Sequence, residues 1–433
     1  MGKDKVTLGI LGCGTVGGGV LQLLTRNADK LAERVGAELE LRRVLVRDLD
    51  KPRVDECERE LLTTDADEVL HDPEIDLVVE VVGGEEAAQT FVRTALTQKK
   101  GVVTANKLLI ATHGLELLQL AAENEVDLAF EGAVGGGIPI VRTLREAFAS
   151  DRVTAITGIL NGTSNYVLTR MLDDDLSMAD AVADAQRLGY AEADPSMDVG
   201  GHDAAHKLAI LSVLGFGGWI DQKAMHVEGI EAIEPVDHRF AERFGYRIKH
   251  LVVGRDAGGP LELRVHPALI PQRSVLANVS GVLNAVLLEG EALGPCLVYG
   301  RGAGDLPTAV SVVSDVLDVA RSIARGVAGL QTRSIHFSRR ELRPMADVRT
   351  RYYVRFTVRD EPGVMAKLAG CLGEEGVSIE QLVQDGIPAE GEPATVVLLT
   401  HEASEAALGR ALAALARESF MVDPPRLLRI EDP

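Results

Sequence analysis

The stretch "GILGCGTVGGGVLQLL", residues 9–24, sets Gly12, Gly14 and Gly17 as G-x-G-x-x-G between a β-forming run and a helical one. Glycines allow a tight turn and close backbone approach, and a helix that opens there favours a pyrophosphate. The spacing alone is a weak signal; its place directly after a first strand strengthens it. Gly12, Cys13, Gly14, Thr15, Val16 and Gly17 are therefore candidate dinucleotide contacts, against the alternative of a strand-to-helix glycine turn that binds nothing.

From Val6 to about Ile138 the runs "VTLGILG", "ELRRVLV", "DLVVEVV", "GVVTAN" and "VDLAFEG" alternate with amphipathic pieces such as "GLELLQLAAENE". That alternation predicts five strands in a doubly wound parallel sheet of Rossmann type, an α/β fold. The next region, to about Gly302, mixes strand runs such as "RVTAITGIL" and "LELRVHPALI" with helices and reads as α+β. A glycine-rich turn then feeds a helix, and an arginine-rich linker is expected from Gln331 to Arg351. From Tyr352 the order is strand, helix, strand, strand, helix, enough for a small α+β domain of its own. The expected division is residues 1–136 with 303–340, residues 137–302, and residues 350–430. There is no internal repeat and no low-complexity segment.

Composition narrows the function classes. With 46% hydrophobic and 25% charged residues in 433, the chain is ordinary globular material for two or three domains. A net charge of −20 speaks against nucleic acid, which needs a basic footprint. No window approaches the roughly 18 apolar residues of a membrane span, and the start runs from a short charged tag into a strand, so a cytoplasmic protein is expected. The four cysteines, Cys13, Cys57, Cys296 and Cys371, lack any paired spacing for zinc or redox chemistry, which suits a reducing compartment.

At the end of the second strand, "VLVRDLDKPR" places Arg47 beside Asp48. An arginine there accommodates a 2′-phosphate and an aspartate grips a 2′-hydroxyl, so both NADP and NAD stay in play. Arg47 is equally readable as a solvated surface charge. In "VVTANKLLI", Lys107 stands at the ligand-facing edge of such a sheet, positioned for cofactor or substrate, or simply exposed at a helix start.

The segment "EADPSMDVGGHDAAHKLAILSVLGF", Glu192 to Phe216, ends in a helix that is apolar nearly all round, yet Asp203 and Lys207 share its buried arc one turn apart. Just ahead, Glu192, Asp194 and Asp198 crowd a loop with Pro195, Gly200 and Gly201, so as many as four carboxylates are expected near one ammonium. A buried lysine is costly unless paired, and a paired one suits proton transfer. A structural ion pair that fixes helix packing is the competing reading. The dinucleotide fingerprint tips the balance, because hydride delivery to a carbonyl leaves an alkoxide that needs a proton.

The run "GYAEADPSMDVGGHDAAHKLAIL" resembles the signature of homoserine dehydrogenases, and "GCGTVGGGV", "TANK", "EGAVGGGIPI", "GILNGTSNY" and "YGRGAGDLPTA" match other segments of that family in order. The C-terminal "DEPGVMAKLAGCLGEEGVSI" resembles an ACT domain, as in single-function bacterial members. The resemblance implies reversible NAD(P)H-dependent reduction of L-aspartate 4-semialdehyde to L-homoserine, in threonine and methionine biosynthesis. It implies Lys207 as proton donor or acceptor, supported by Asp198, with Lys107 beside the reacting centre. Glu192, Asp203 and Thr163 would bind the substrate, and Gly189 and Gly302 would approach the cofactor. It also implies a monovalent cation such as sodium at Glu131, Val134, Gly136 and Ile138, whose carbonyl and carboxylate oxygens are hard ligands. The expected assembly is a homodimer or homotetramer.

Glycines in the C-terminal module are explained by turns and caps alone. The resemblance makes threonine feedback the natural expectation there; a module serving only stability or dimerisation is the alternative. Two other functions compete: a non-catalytic amino-acid sensor, disfavoured by the retained lysine and carboxylates, and a related amino-acid dehydrogenase with another substrate.

Overall fold

The structure is a computed structural model and describes residues 2–330, 332, 335, 338–385 and 392–433. The chain divides into two compact units.

The first unit comprises Met1–Thr154, His206–Gln222 and Asn284–Arg340. Its sheet holds β1 (Lys5–Leu11), β2 (Glu38–Leu45), β3 (Leu62–Thr63), β4 (Leu77–Glu80), β5 (Gly101–Thr104) and β6 (Leu128–Ala129). They lie in the order β3-β2-β1-β4-β5-β6, with every pairing parallel. All five runs expected from the sequence are strands, and β3 is an addition that lies in the largely polar stretch "RELLTTDAD". The chain leaves β1 toward one edge and returns to its other side as β4. That reversal opens a crevice beyond the carboxyl ends of the strands.

The glycine-rich turn before Asp305 feeds the helix Asp305–Ala324, which returns to this sheet. Ala309, Val312, Val316 and Val319 recur at helical spacing and pack with Val6, Leu8 and Ile10 in one buried cluster. Gly19 makes room for it on the helix Thr15–Arg26, since a methyl there would sit 3.0 Å from the Ala309 side chain.

The second unit comprises Ala155–Ala205, Lys223–Leu283 and Glu341–Pro433. Its strands begin with β7 (Val153–Ile159), β8 (His226–Val227), β9 (Tyr246–Arg255) and β10 (Glu262–Pro271). Next in the chain, β11 (Leu283–Gly290) and β12 (Gly294–Arg301) are neighbours whose residues from Asn284 onward belong to the first unit. Then follow β13 (Arg349–Arg359), β14 (Ile379–Asp385), β15 (Pro393–Thr400), β16 (Ala403–Ser404) and β17 (Arg426–Ile430). The order within the unit is β7-β9-β10-β17-β13-β15-β14, with β8 beside β10 and β16 beside β13.

The expected strand, helix, strand, strand, helix order after Tyr352 is present as β13, the helix Val364–Glu374, β14, β15 and the helix Glu405–Leu415. One strand more closes it. β17 pairs antiparallel with β13 and parallel with β10, at Ala268 with Arg429 and Leu269 with Ile430. The C-terminal segment is thus hydrogen-bonded into the sheet of the preceding region. Its sequence, "RLLRI", carries arginines at both ends of an apolar pair, which hides a strand buried on its last three residues.

Buried ion pairs reinforce that seam. Arg355 on β13 donates from Nε to Asp237 Oδ1 at 2.7 Å and from Nη2 to Oδ2 at 3.2 Å, and the Tyr353 hydroxyl donates to the same carboxylate at 2.8 Å. Arg429 on β17 joins Glu228 at 2.7 Å and also pairs with Glu405. Arg264, 1% exposed, lies between Glu262 and Glu431. No described helix is long and apolar enough to cross a membrane.

Candidate functional site

In the first unit, a cleft of about 780 Å³ opens where β1 meets the helix Thr15–Arg26, lined by Gly12, Cys13, Gly14, Arg47, Asp48, Lys51, Arg53 and Val81–Gly83 among others. The three fingerprint glycines serve three physical needs. Gly12 has φ of +103°, and a Cβ there would lie 2.7 Å from the Val81 carbonyl oxygen. Gly17 packs so closely that a Cβ would be 2.2 Å from the Gly12 carbonyl oxygen. At Gly14, by contrast, nothing beyond its two chain neighbours lies within 4 Å of the Cβ position. Bare backbone facing open space at the start of a helix, Thr15 and Val16 being its first residues, fits a pyrophosphate.

Arg47 is exposed and lines this cleft together with Lys51 and Arg53. Asp48 accepts the Asp50 backbone N–H at 2.9 Å, and Arg53 donates to the Lys51 carbonyl at 2.7 Å and to that of Asp48. Lys51 and Arg53 were not singled out from the sequence; the "KPR" after the second strand was the available signal.

A chain of hydrogen bonds sets the position of Lys107. The Thr104 hydroxyl donates to buried Glu80 at 2.6 Å and accepts the Asn106 N–H at 2.9 Å. Asn106 caps the helix Lys107–Glu123 by accepting the Leu109 N–H at 3.1 Å, and its amide donates to the Gly84 carbonyl at 2.7 Å. Burial pushes the Glu80 carboxyl above the usual carboxylate range, against the pull of the Thr104 and Val82 donors. Lys107 is the half-buried first residue of that helix.

In the second unit two of the four expected carboxylates, Asp198 and Asp203, meet on Asn161, which the sequence reading passed over. Its amide donates to Asp198 Oδ1 at 2.7 Å and to Asp203 Oδ2 at 2.9 Å, while its oxygen accepts the Ser164 N–H at 2.8 Å and caps the helix Gly162–Asp174. The signal was there in "LNGTSN", an asparagine just ahead of a helix. Ser164 donates to the Asp198 carbonyl at 2.9 Å, and the Thr163 hydroxyl to the Tyr190 carbonyl at 2.7 Å. Glu192 and Asp194 are exposed on the loop; Gln186 holds the Glu192 carbonyl at 3.1 Å. Gly189, with φ of +77°, ends the helix Met178–Arg187, and nothing lies near its Cβ position.

Asp203 and Lys207 are both buried, 4% and 7% exposed, on the helix His202–Phe216. Charge placed there by the chain needs compensation from polar partners or substrate.

The loop after β6 lies within the first unit. Both oxygens of Glu131 are engaged: Oε1 accepts the Val141 N–H at 2.9 Å and Oε2 that of Arg142 at 2.7 Å. Its own N–H goes to Asp315 Oδ2 at 2.7 Å. Burial raises the Glu131 carboxyl, and burial together with the Glu131 charge pushes Asp315 up to about 7. Val134 and Ile138 are buried, and Gly136 folds against Gly302, whose carbonyl oxygen would be 2.6 Å from a Gly136 Cβ. Gly302 lies against the Asn284 amide, 1% exposed, which has no hydrogen-bond partner among the described residues. An orphaned amide oxygen next to a loop rich in backbone carbonyls is chemically suited to a monovalent cation. Among the described residues no three His, Cys, Asp or Glu side chains cluster to hold a metal ion.

Comparison with known proteins joins these parts. The homoserine dehydrogenase family model matches residues 139–317, the homoserine dehydrogenase NAD-binding domain matches 12–131, and the ACT domain matches 352–417. A homoserine dehydrogenase of Neisseria gonorrhoeae is 41% identical over 431 residues, 98% of each chain. That of Bacillus subtilis is 42% identical over 401 residues, covering 93% of this chain and 92% of its own. Among solved structures, a homoserine dehydrogenase from Thiobacillus denitrificans aligns with a TM-score of 0.93 at 42% identity, over 100% of this chain and 99% of its own. A hyperthermophilic archaeal homoserine dehydrogenase in complex with NADPH aligns at 0.62 and 25% identity, over 73% of this chain and 97% of its own. Three domain matches in chain order, and relatives above 40% identity along nearly the full length, place this chain in the homoserine dehydrogenase family.

Proposed function

We propose that Lys207 carries the proton in the family's reaction, the reversible NAD(P)H-dependent reduction of L-aspartate 4-semialdehyde to L-homoserine. The dinucleotide supplies the hydride, and the cleft at Gly12–Gly17 would hold its pyrophosphate. Reduction of the aldehyde leaves an alkoxide oxygen, and the Lys207 ammonium donates the proton that makes it a hydroxyl; homoserine oxidation returns that proton to the Lys207 amine. The substrate's own ammonium needs carboxylates, a role for Asp203 and Glu192. Asp198 supports Lys207, Thr163 lines the pocket, and Lys107 polarises the reacting carbonyl. The single observation that carries this reading is Asn161, which holds Asp198 and Asp203 on one amide, with Asp203 one helical turn from buried Lys207.

Finer features belong to the same reading. Arg47, Lys51 and Arg53 favour the 2′-phosphate of NADP over NAD. Carbonyls of the Glu131–Ile138 loop with the Asn284 amide hold a sodium-like cation. The ACT domain binds threonine as a feedback effector, and the enzyme works in the cytoplasm as a homodimer or homotetramer. The nucleotide domain comprises 1–136 and 303–340, the catalytic and dimerisation part 137–302, and the regulatory domain 350–430.

The test is a spectrophotometric assay with L-homoserine and each nicotinamide cofactor, with and without threonine. Turnover faster with NADP and suppressed by threonine is expected. Turnover with another hydroxy amino acid but none with homoserine would overturn the substrate assignment.

A further inference from the structure

Two cysteines 44 positions apart in sequence meet at the cofactor loop. Cys13 sits between Gly12 and Gly14, and its Sγ lies 3.6 Å from Cys57 Sγ. Both are half-buried free thiols. The Cys57 loop is pinned to the same helix that the Cys13 turn opens: Glu56 pairs with Arg26 at 2.7 Å, Cys57 N–H donates to Val54 at 3.0 Å, and Val54 packs 3.2 Å from the Gly18 Cβ position. One helix therefore holds both sulfurs.

We propose that Cys13 and Cys57 form a reversible disulfide whose closure disables dinucleotide binding. The oxidant is a low-molecular-weight disulfide. One protein thiol opens it to a mixed disulfide, and the other sulfur displaces the remaining half. Two S–H bonds are lost and one S–S bond forms, while the two protons and two electrons leave with the small disulfide, released as two thiols. Burial and the contact with Cys57 push the Cys13 thiol up to about 12, which makes it slow to attack the oxidant on its own.

A disulfide needs its sulfurs at about 2.05 Å, so the pair must close by roughly 1.5 Å. The Gly12 turn has little slack, wedged as it is against the Val81 carbonyl. Drawing Cys13 toward Cys57 shifts the Gly12–Gly14 backbone as a piece, and its N–H groups leave the positions a pyrophosphate requires.

The experiment treats the full chain with oxidised glutathione, maps its peptides without reduction by mass spectrometry, and titrates NADPH binding by fluorescence. A linked Cys13–Cys57 peptide, lost NADPH affinity and full recovery with dithiothreitol are expected. Cys57→Ser should keep wild-type basal activity and hold its NADPH affinity under the same treatment, and NADPH bound beforehand should slow closure. Mapping that finds only glutathione adducts, or a Cys57→Ser variant that loses affinity as fully as the wild type, would overturn the proposal. The peptide map is read without any assay of turnover, so it stands apart from the assignment of the reaction.

Discussion

Asn161 shares its two amide hydrogens between Asp198 and Asp203, at 2.7 and 2.9 Å, and so holds two carboxylates apart and oriented with one neutral group. Its carbonyl oxygen is spent on the Ser164 N–H, which fixes which end of the amide faces the acids.

Replacing it should therefore affect catalysis more than folding. Asn161→Ala is expected to lower kcat/KM for homoserine by about 10- to 100-fold, roughly 1.4–2.8 kcal/mol. The lost helix cap should cost about 1 kcal/mol of stability. Steady-state kinetics beside urea unfolding separates the two, and dinucleotide affinity should not move.

The cofactor cleft gives a second prediction. Arg47→Ala should raise KM for NADP more than KM for NAD, because only the former presents a phosphate to the exposed guanidinium. Equal changes in both would place the 2′-phosphate elsewhere.

Arg355 and Asp237 predict an asymmetry in stability. Removing Arg355 leaves a carboxylate buried without its cation, so Arg355→Ala should cost about 3–5 kcal/mol, whereas the paired change Arg355→Met with Asp237→Asn, which removes both charges and keeps an acceptor for the Tyr353 hydroxyl, should recover part of it. Urea unfolding of both variants measures this.

Three buried histidines in the second unit, His238, His250 and His266, set a pH dependence, and burial holds His266 well below the usual range. Burial pulls His238 and His250 down to about 4 from the usual 6.5, so both are neutral when folded. Unfolding lets them take up protons near pH 6.5. Their contribution is therefore complete above pH 6.5 and lost as pH falls toward 4, up to about 3 kcal/mol each. His250→Gln, which keeps a donor for the Glu228 carbonyl, should flatten the fall in urea-unfolding free energy between pH 7 and pH 5.

What the sequence could show was local. The glycine fingerprint and the five expected strand runs were legible because each depends on neighbours within a few residues. β3 and β17 were not, since β3 sits in the largely polar "RELLTTDAD" and β17 is an apolar pair flanked by arginines. Asp203 and Lys207 stood out as charges on an apolar helix. Asn161, however, earns its role from partners 37 and 42 positions away, and Cys57 from one 44 positions away. Such pairings exist only once the chain is folded.

The most direct test of the central claim is Lys207→Ala, assayed for homoserine oxidation and for dinucleotide affinity in the same preparation. The account predicts turnover lost by several orders of magnitude with affinity nearly intact, because the proton is used only in the transition state. Substantial residual turnover, or dinucleotide binding lost along with it, would contradict the assignment of Lys207.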